Sequence, residues 1–279
     1  MTEPTILLAD NGSRRAESVL NLRRLANELS VASGHRVHPV SLQHADRIAP
    51  ESLNGTPAHI FASFLRQRLE QGERRFLLLP LFFGPSGALS AFIPAQAATL
   101  EAEFGRFELQ LAPVLCPLPE GEPRLASMLC DQLSVAEGGE PCGRVILVDH
   151  GSPEPAVTAV RHYLAGEMQA RLGPDTEILQ AVMERRQGAD YDFNGELLEH
   201  QLIRLAEADD QAAVALSLLF LSPGRHAGPG GDIEAICAGV RQRHPGLRIV
   251  LSELVGSHPE LTGILRDRLR TGMESAHTS

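Results

Sequence analysis

The sequence has little cysteine and none of it in a metal-binding spacing. Cys116, Cys130, Cys142 and Cys237 form no C-x-x-C pair, which argues against a structural zinc site or a disulfide framework. They read as small buried side chains in a protein of a reducing compartment, and the cytoplasm is the expected location. No apolar run approaches the roughly 20 residues of a membrane-spanning helix. The N-terminal stretch MTEPTILLADN lacks a basic segment followed by a long apolar one, so no signal peptide is expected. Positive charge is also short: 25 Lys and Arg stand against 35 Asp and Glu, a net charge of −10. That excludes a protein built to coat nucleic acid or an anionic membrane. It leaves room for an anionic small substrate, because a few arginines can reverse the field inside one cleft. Neither a P-loop nor a G-x-G-x-x-G fingerprint is present, so nucleotide binding has no support.

What the chain does have is length and repetition. Its 279 residues, 43% hydrophobic and 22% charged, suit a soluble globular protein of two domains. The run Ile6-Leu7-Leu8-Ala9-Asp10-Asn11-Gly12-Ser13 returns as Ile146-Leu147-Val148-Asp149-His150-Gly151-Ser152. FLLLPLFFGPSGAL (76–89) returns as VALSLLFLSPGRHA (214–227), with Phe82 against Phe220 and Pro85 against Pro223. His150 stands 139 positions after Asn11, and Phe220 stands 138 after Phe82, so the register holds over some seventy residues. The chain is therefore a tandem repeat. The expected halves are 1–136 and 143–279, joined through the turn-rich stretch Glu137-Gly138-Gly139-Glu140-Pro141.

Within the second half, residues 144–149 form an apolar run that ends at a Gly-Ser-Pro turn. Residues 155–172 place Val157, Val160, Leu164 and Met168 at helical spacing and stop before Gly173-Pro174. A strand is expected at 176–183, a helix at 194–207 and a doubly buried strand at 212–221. A helix at about 231–244, a strand at 247–254 and a closing helix at 259–270 complete the half, before a short polar tail, Met273 to Ser279, that gives His277 no role. The first half repeats this order. The fold class expected is α/β: two similar doubly wound domains, each a parallel four-stranded sheet flanked by helices.

Ligands of open parallel sheets bind beyond the carboxyl ends of the strands. In the second half the residues there are His150, Glu184 and His226, after three successive strands. Two imidazoles and a carboxylate suit a divalent transition metal and also proton transfer near neutral pH. Each alone reads as an ordinary loop residue; together they read as a site. The first half has Asn11 for His150, Ala88 for His226 and no acidic residue near Leu42-Gln43-His44 for Glu184. A requirement of the fold would appear twice, so these three groups point to chemistry done once. The glycine-rich loop 222–232 opens a helix. Its amides around Gly230 and Gly231, with Arg225, are expected to hold an anion, while Asp232 reads as the helix cap. Ser152 lacks the setting of a nucleophile elbow, so a serine hydrolase is disfavoured.

The strand ending in H-G-S, the Glu after the second strand and the P-G-x-H loop resemble the class II chelatases, within them the CbiX/SirB group of sirohydrochlorin cobalto- and ferrochelatases. The resemblance covers essentially the whole chain. It implies an ATP-independent lyase that inserts Co²⁺ or Fe²⁺ into a sirohydrochlorin-type tetrapyrrole for cobalamin or siroheme. In that family the tetrapyrrole lies in a cleft between the halves. The family's catalytic histidines map onto His150 and His226, and an acidic metal-site residue onto Glu184. These three are the expected catalytic and metal-holding residues. Ser152, Arg225, Gly230, Gly231, Arg185 and Asn11 are expected to bind substrate, with Arg186, Arg14 and Arg15 as further candidates for its carboxylates. The metal is a substrate, and no permanently bound cofactor is expected. In some two-domain members the N-terminal half holds the histidines; here the C-terminal half does. A non-catalytic tetrapyrrole or metal carrier is the alternative. The two halves can supply internally what a short-chain homodimer supplies by symmetry, which leaves monomer and homodimer both open.

Overall fold

The computed structural model describes residues 3–137 and 142–276. Residues 138–141 of the expected linker, and His277, lie outside them. The first repeat runs β1 (Thr5–Asp10), α1 (Ala16–Ser33), β2 (Val37–Ser41), α2 (Phe61–Glu70), β3 (Arg75–Pro80), α3 (Ile93–Phe104), β4 (Glu108–Leu111) and α4 (Pro123–Glu137). The second runs β5 (Arg144–Asp149), α5 (Pro155–Leu172), β6 (Glu177–Val182), α6 (Leu198–Ala208), β7 (Ala213–Leu218), α7 (Asp232–Arg243), β8 (Arg248–Leu251) and α8 (Leu261–Ala276). Each repeat forms one parallel sheet, in the orders β2-β1-β3-β4 and β6-β5-β7-β8. The inner strands β1, β3, β5 and β7 are buried along nearly their whole length, as helices on both faces require. The edge strands β4 and β8 are partly exposed.

Most expected elements lie where the periodicity puts them, and β5 and α5 match to the residue. One helix starts late. Residues 189–194 form a 3-10 turn, and Glu196 lends its carbonyl to the Val182 N–H at 2.9 Å, so α6 begins only at Leu198. The last helix runs further than expected, through Met273 to Ala276.

The compact units differ from the halves 1–136 and 143–279. One comprises Met1–Pro117 with Pro259–Ser279 (unit 1); the other is Leu118–His258 (unit 2). The final helix of each repeat closes the sheet of the other. Helix α8 packs on α1 and β3, where Gly272 lets it approach Leu77 and Ala112. Arg268 on it donates to the Val114 and Leu115 carbonyls, both at 2.9 Å, and Thr262 donates to Glu28 at 3.0 Å. Helix α4 packs on α5 and β7, and its Gln132 amide donates to the Leu254 carbonyl at 2.7 Å. The apolar stripes explain why both helices must dock: Leu125, Met128, Leu129 and Leu133 on α4, and Leu261, Ile264, Leu265 and Leu269 on α8, are all buried.

Candidate metal and proton-transfer site

The turn that follows each first strand fixes the site. Gly12 and Gly151 sit at φ +92° and +91°. A Cβ at Gly12 would run into the Gln43 carbonyl, and one at Gly151 into the Glu184 carbonyl. Only glycine lets the two strand ends approach so closely. The sheet register also aligns Asp10 with Ser41 and Asp149 with Val182. Gln43 is therefore the counterpart of Glu184, a neutral isostere in place of the acid.

In unit 2 the three expected residues come together. The rings of His150 and His226 meet edge to face, with centroids 4.4 Å apart. His150 Nε2 lies 3.1 Å from Glu184 Oε1, and the Glu184 N–H donates to the His150 carbonyl at 3.1 Å. All three side chains are partly exposed, so the site is open.

Hydrogen-bond partners assign the ring nitrogens. His150 Nδ1 lies 2.9 Å from the Gly151 carbonyl, which can only accept, so Nδ1 carries a proton. His226 Nδ1 lies 2.8 Å from Asp232 Oδ2 and donates to that carboxylate. Both imidazoles thus offer Nε2 as the working atom. In His150 that atom faces a carboxylate oxygen, an arrangement that calls for a proton or another cation between them. In His226 it is an in-plane lone pair.

The three side chains meet without standing as a three-donor set. Among the described residues no group of three or more His, Cys, Asp or Glu is arranged to hold a metal ion. Glu184 pairs with His150 Nε2 instead of standing as a third donor, so the geometry gives two nitrogens with a carboxylate behind one of them.

Several expected substrate contacts are differently engaged. The Gly230 amide donates to its own helix's Glu234 at 2.8 Å and the Gly231 amide to Gly228 O at 3.0 Å, so these two form no open anion cradle. Asp232 opens α7 without capping it; its carboxylate serves His226 and lies 3.5 Å from Arg225 Nε. Arg185 donates to Asp192 at 3.1 Å and to the Gly195 carbonyl at 3.2 Å. Arg186 lies over the Tyr191 ring. Both arginines fold back on their own loop, whereas Arg225 is largely exposed. The Ser152 hydroxyl accepts from the Glu154 N–H at 3.0 Å, the bond of a local turn. In unit 1, Asn11, Arg14 and Arg15 are exposed beside the corresponding turn. Cys116, Cys142 and Cys237 are buried and Cys130 half-buried; all four are thiols outside any disulfide, and burial pushes Cys130 and Cys237 up to about 11.

Beneath the site lies a buried polar group that sequence reasoning missed. Arg161 is fully buried and donates to Asp149 Oδ1 at 2.7 Å and to the Asn194 carbonyl at 2.6 Å. The one signal was its place on the α5 stripe, four residues after Val157 and three before Leu164, where a charge does not belong. Desolvation raises the Asp149 carboxyl while Arg161 works against the rise.

Comparisons with known proteins bear on the family and the fold. The CbiX family model matches residues 5–134 and again 144–272. SirB from Bacillus subtilis with Fe³⁺ is 14% identical, with a TM-score of 0.71 over 100% of this chain and 98% of that one. SirB from B. subtilis subspecies spizizenii in complex with cobalt is also 14% identical, with a TM-score of 0.68 over the same shares. The structure of CbiX described as the terminal enzyme for siroheme biosynthesis in denitrifying bacteria reaches 0.58 at 14% identity, over 95% and 98%. A search of curated proteins gives no match. With both repeats matched over nearly their full length, the chain belongs to the CbiX family.

Proposed function

We propose that unit 2 inserts a divalent metal ion, Co²⁺ or Fe²⁺, into a sirohydrochlorin-type tetrapyrrole, in cobalamin or siroheme synthesis and without nucleotide hydrolysis. One observation carries the reading: His150 and His226 meet edge to face, each held through Nδ1 and offering Nε2, in only one of two matching halves. The metal-bound SirB relatives support it at the level of fold. Among the described residues no helix is long and apolar enough to cross a membrane, which fits cytoplasmic work on a soluble substrate.

Two pyrrole N–H protons must leave the macrocycle as the metal enters. His226 Nε2 is the lone pair poised to hold the incoming ion or to take a proton, with Asp232 stabilising positive charge on the ring. The His150–Glu184 pair takes the second proton across its 3.1 Å contact. An open site with two nitrogen donors holds a metal loosely enough to release it. Arg225, exposed at the rim with Asp232 3.5 Å from its Nε, is the cation best placed for substrate carboxylates.

Unit 1 carries Asn11, Gln43 and Ala88 at the three corresponding positions and can neither ligate nor accept a proton in this way. If unit 2 were likewise inactive, the protein would be a tetrapyrrole or metal carrier. Visible absorbance of sirohydrochlorin with Co²⁺ or Fe²⁺ separates the readings. Many turnovers, lost in His226→Ala, establish a chelatase. A stoichiometric shift with no rate above the uncatalysed reaction would show a carrier and overturn the proposal.

A further inference from the structure

The tandem repeat is an internal control for what the working turn needs beyond its own residues. In unit 2, Arg161 on α5 ties together everything under His150. Its guanidinium binds Asp149 Oδ1, and that same oxygen accepts the Gly151 N–H at 3.0 Å. It also binds the Asn194 carbonyl and reaches the Ala181 carbonyl at 3.3 Å. Asn194, fully buried, then clamps the next residue: Oδ1 accepts the Ser152 N–H at 2.9 Å and Nδ2 donates to the Ser152 carbonyl at 2.8 Å. The main chain on the C-terminal side of His150 is thus held from two directions. The Gly151 carbonyl that anchors His150 Nδ1 lies between the two holds.

Unit 1 has the same strand, the same aspartate and the same Gly turn, without this support. Helices α1 and α5 align 139 residues apart, which puts Leu22 where Arg161 stands. Arg23, the next residue, binds the Leu53, Thr56 and Pro57 carbonyls, which ties down that loop. It leaves Asp10 with one buried carboxylate oxygen that has no hydrogen-bond partner. The half that has Arg161 also has the imidazole; the half that has Leu22 has Asn11.

We infer that Arg161 is a positioning residue for His150, acting through Asp149 and Asn194. A buried arginine required only to balance the strand-end aspartate would be needed twice, and unit 1 folds around Asp10 without one. The second function of Arg161 is to hold the 150–152 backbone in one place, so that Nδ1 stays on the Gly151 carbonyl and Nε2 keeps its direction. The expected signature is a loss of turnover without loss of substrate binding.

Arg161→Leu imports the unit 1 residue. Because it leaves Asp149 buried and unpaired, Arg161→Lys and Asn194→Ala accompany it. The lysine keeps the charge but brings one nitrogen where the guanidinium uses two to reach Asp149, Ala181 and Asn194; the alanine keeps the ion pair and removes the Ser152 clamp together with the side-chain bonds to the Tyr191 carbonyl at 3.2 Å and Thr158 Oγ1 at 3.5 Å. Two readouts apply to variants that melt cooperatively. The first is the ring order parameter of His150 from ¹³C relaxation, which needs neither metal nor activity. The second is the split of kcat and KM in cobalt insertion, which rests on the proposed function. The expected result is an ordered ring in the parent and a loosened one in both Arg161→Lys and Asn194→Ala, with kcat down about tenfold or more and KM for the tetrapyrrole within about threefold. A ring as ordered as in the parent, or an unchanged kcat, in both variants overturns the assignment. If the parent inserts no metal, the functional reading fails and the ring measurement alone decides this one.

Discussion

Replacing Asp10 with asparagine is expected to flatten the pH dependence of unit 1's stability. Asp10 ends β1, is buried and keeps one oxygen without a hydrogen bond. Desolvation pushes its carboxyl from 3.8 up to about 6, against the opposing bonds from Ser41, Gly12 and Ser18. An acid raised in the folded state is protonated more readily there than in the unfolded chain. Its contribution is complete below about 3.8 and is lost as pH rises through about 6. Two pH units at about 1.4 kcal/mol each make roughly 3 kcal/mol of destabilisation by pH 7. Asparagine carries no such dependence. Its own fit adds a constant, so the test is the difference between variant and parent across pH. Amide hydrogen exchange of β1 and β3 reads unit 1 directly. Tyr163 and Tyr191 both lie in unit 2, which lets their emission report the other unit as a control. The variant should gain about 2.4 kcal/mol on the parent between pH 4 and pH 7.5, the rest of the span lying below pH 4. A constant difference over that range would refute the reasoning.

His150→Ala and His226→Ala should each lower the insertion rate by about 10²-fold or more, followed by the sirohydrochlorin spectrum. Asp232→Ala removes the acceptor of His226 Nδ1, frees the other tautomer and should reduce insertion by about 10- to 100-fold at unchanged melting temperature. Gly151→Ala forces a side chain into the Glu184 carbonyl at φ +91° and should destabilise the protein by at least about 2 kcal/mol in urea unfolding. Gly34→Ala, at φ +75° with nothing nearby, should cost only about 1 kcal/mol.

The elements were legible because their signals are local. The spacing of Val157, Val160, Leu164 and Met168 defines α5 whatever packs against it, and the rule that ligands gather at strand ends brings His150, Glu184 and His226 together. Four things needed the folded contacts. The stripes of α4 and α8 show that each has a buried face, but not which sheet lies beneath it. Asp232 looks like a cap from position alone, and only the folded loop brings its carboxylate to His226. The amides of Gly230 and Gly231 look open until Glu234, one turn into α7, and the Gly228 carbonyl are seen to take them. Gln43 aligns with Glu184 only through the strand register, because the loops after β2 and β6 differ in sequence.

The exchange of closing helices also sets an order of assembly. Unit 2 is one uninterrupted span, Leu118–His258, and all its parts have been synthesised before the last helix exists. Unit 1 draws on stretches on either side of unit 2: β3 and β4 must wait, one face uncovered, until α8 docks. The half with the imidazoles is therefore one contiguous stretch, whereas the half that carries Asn11 closes only once α8 has been made and has docked.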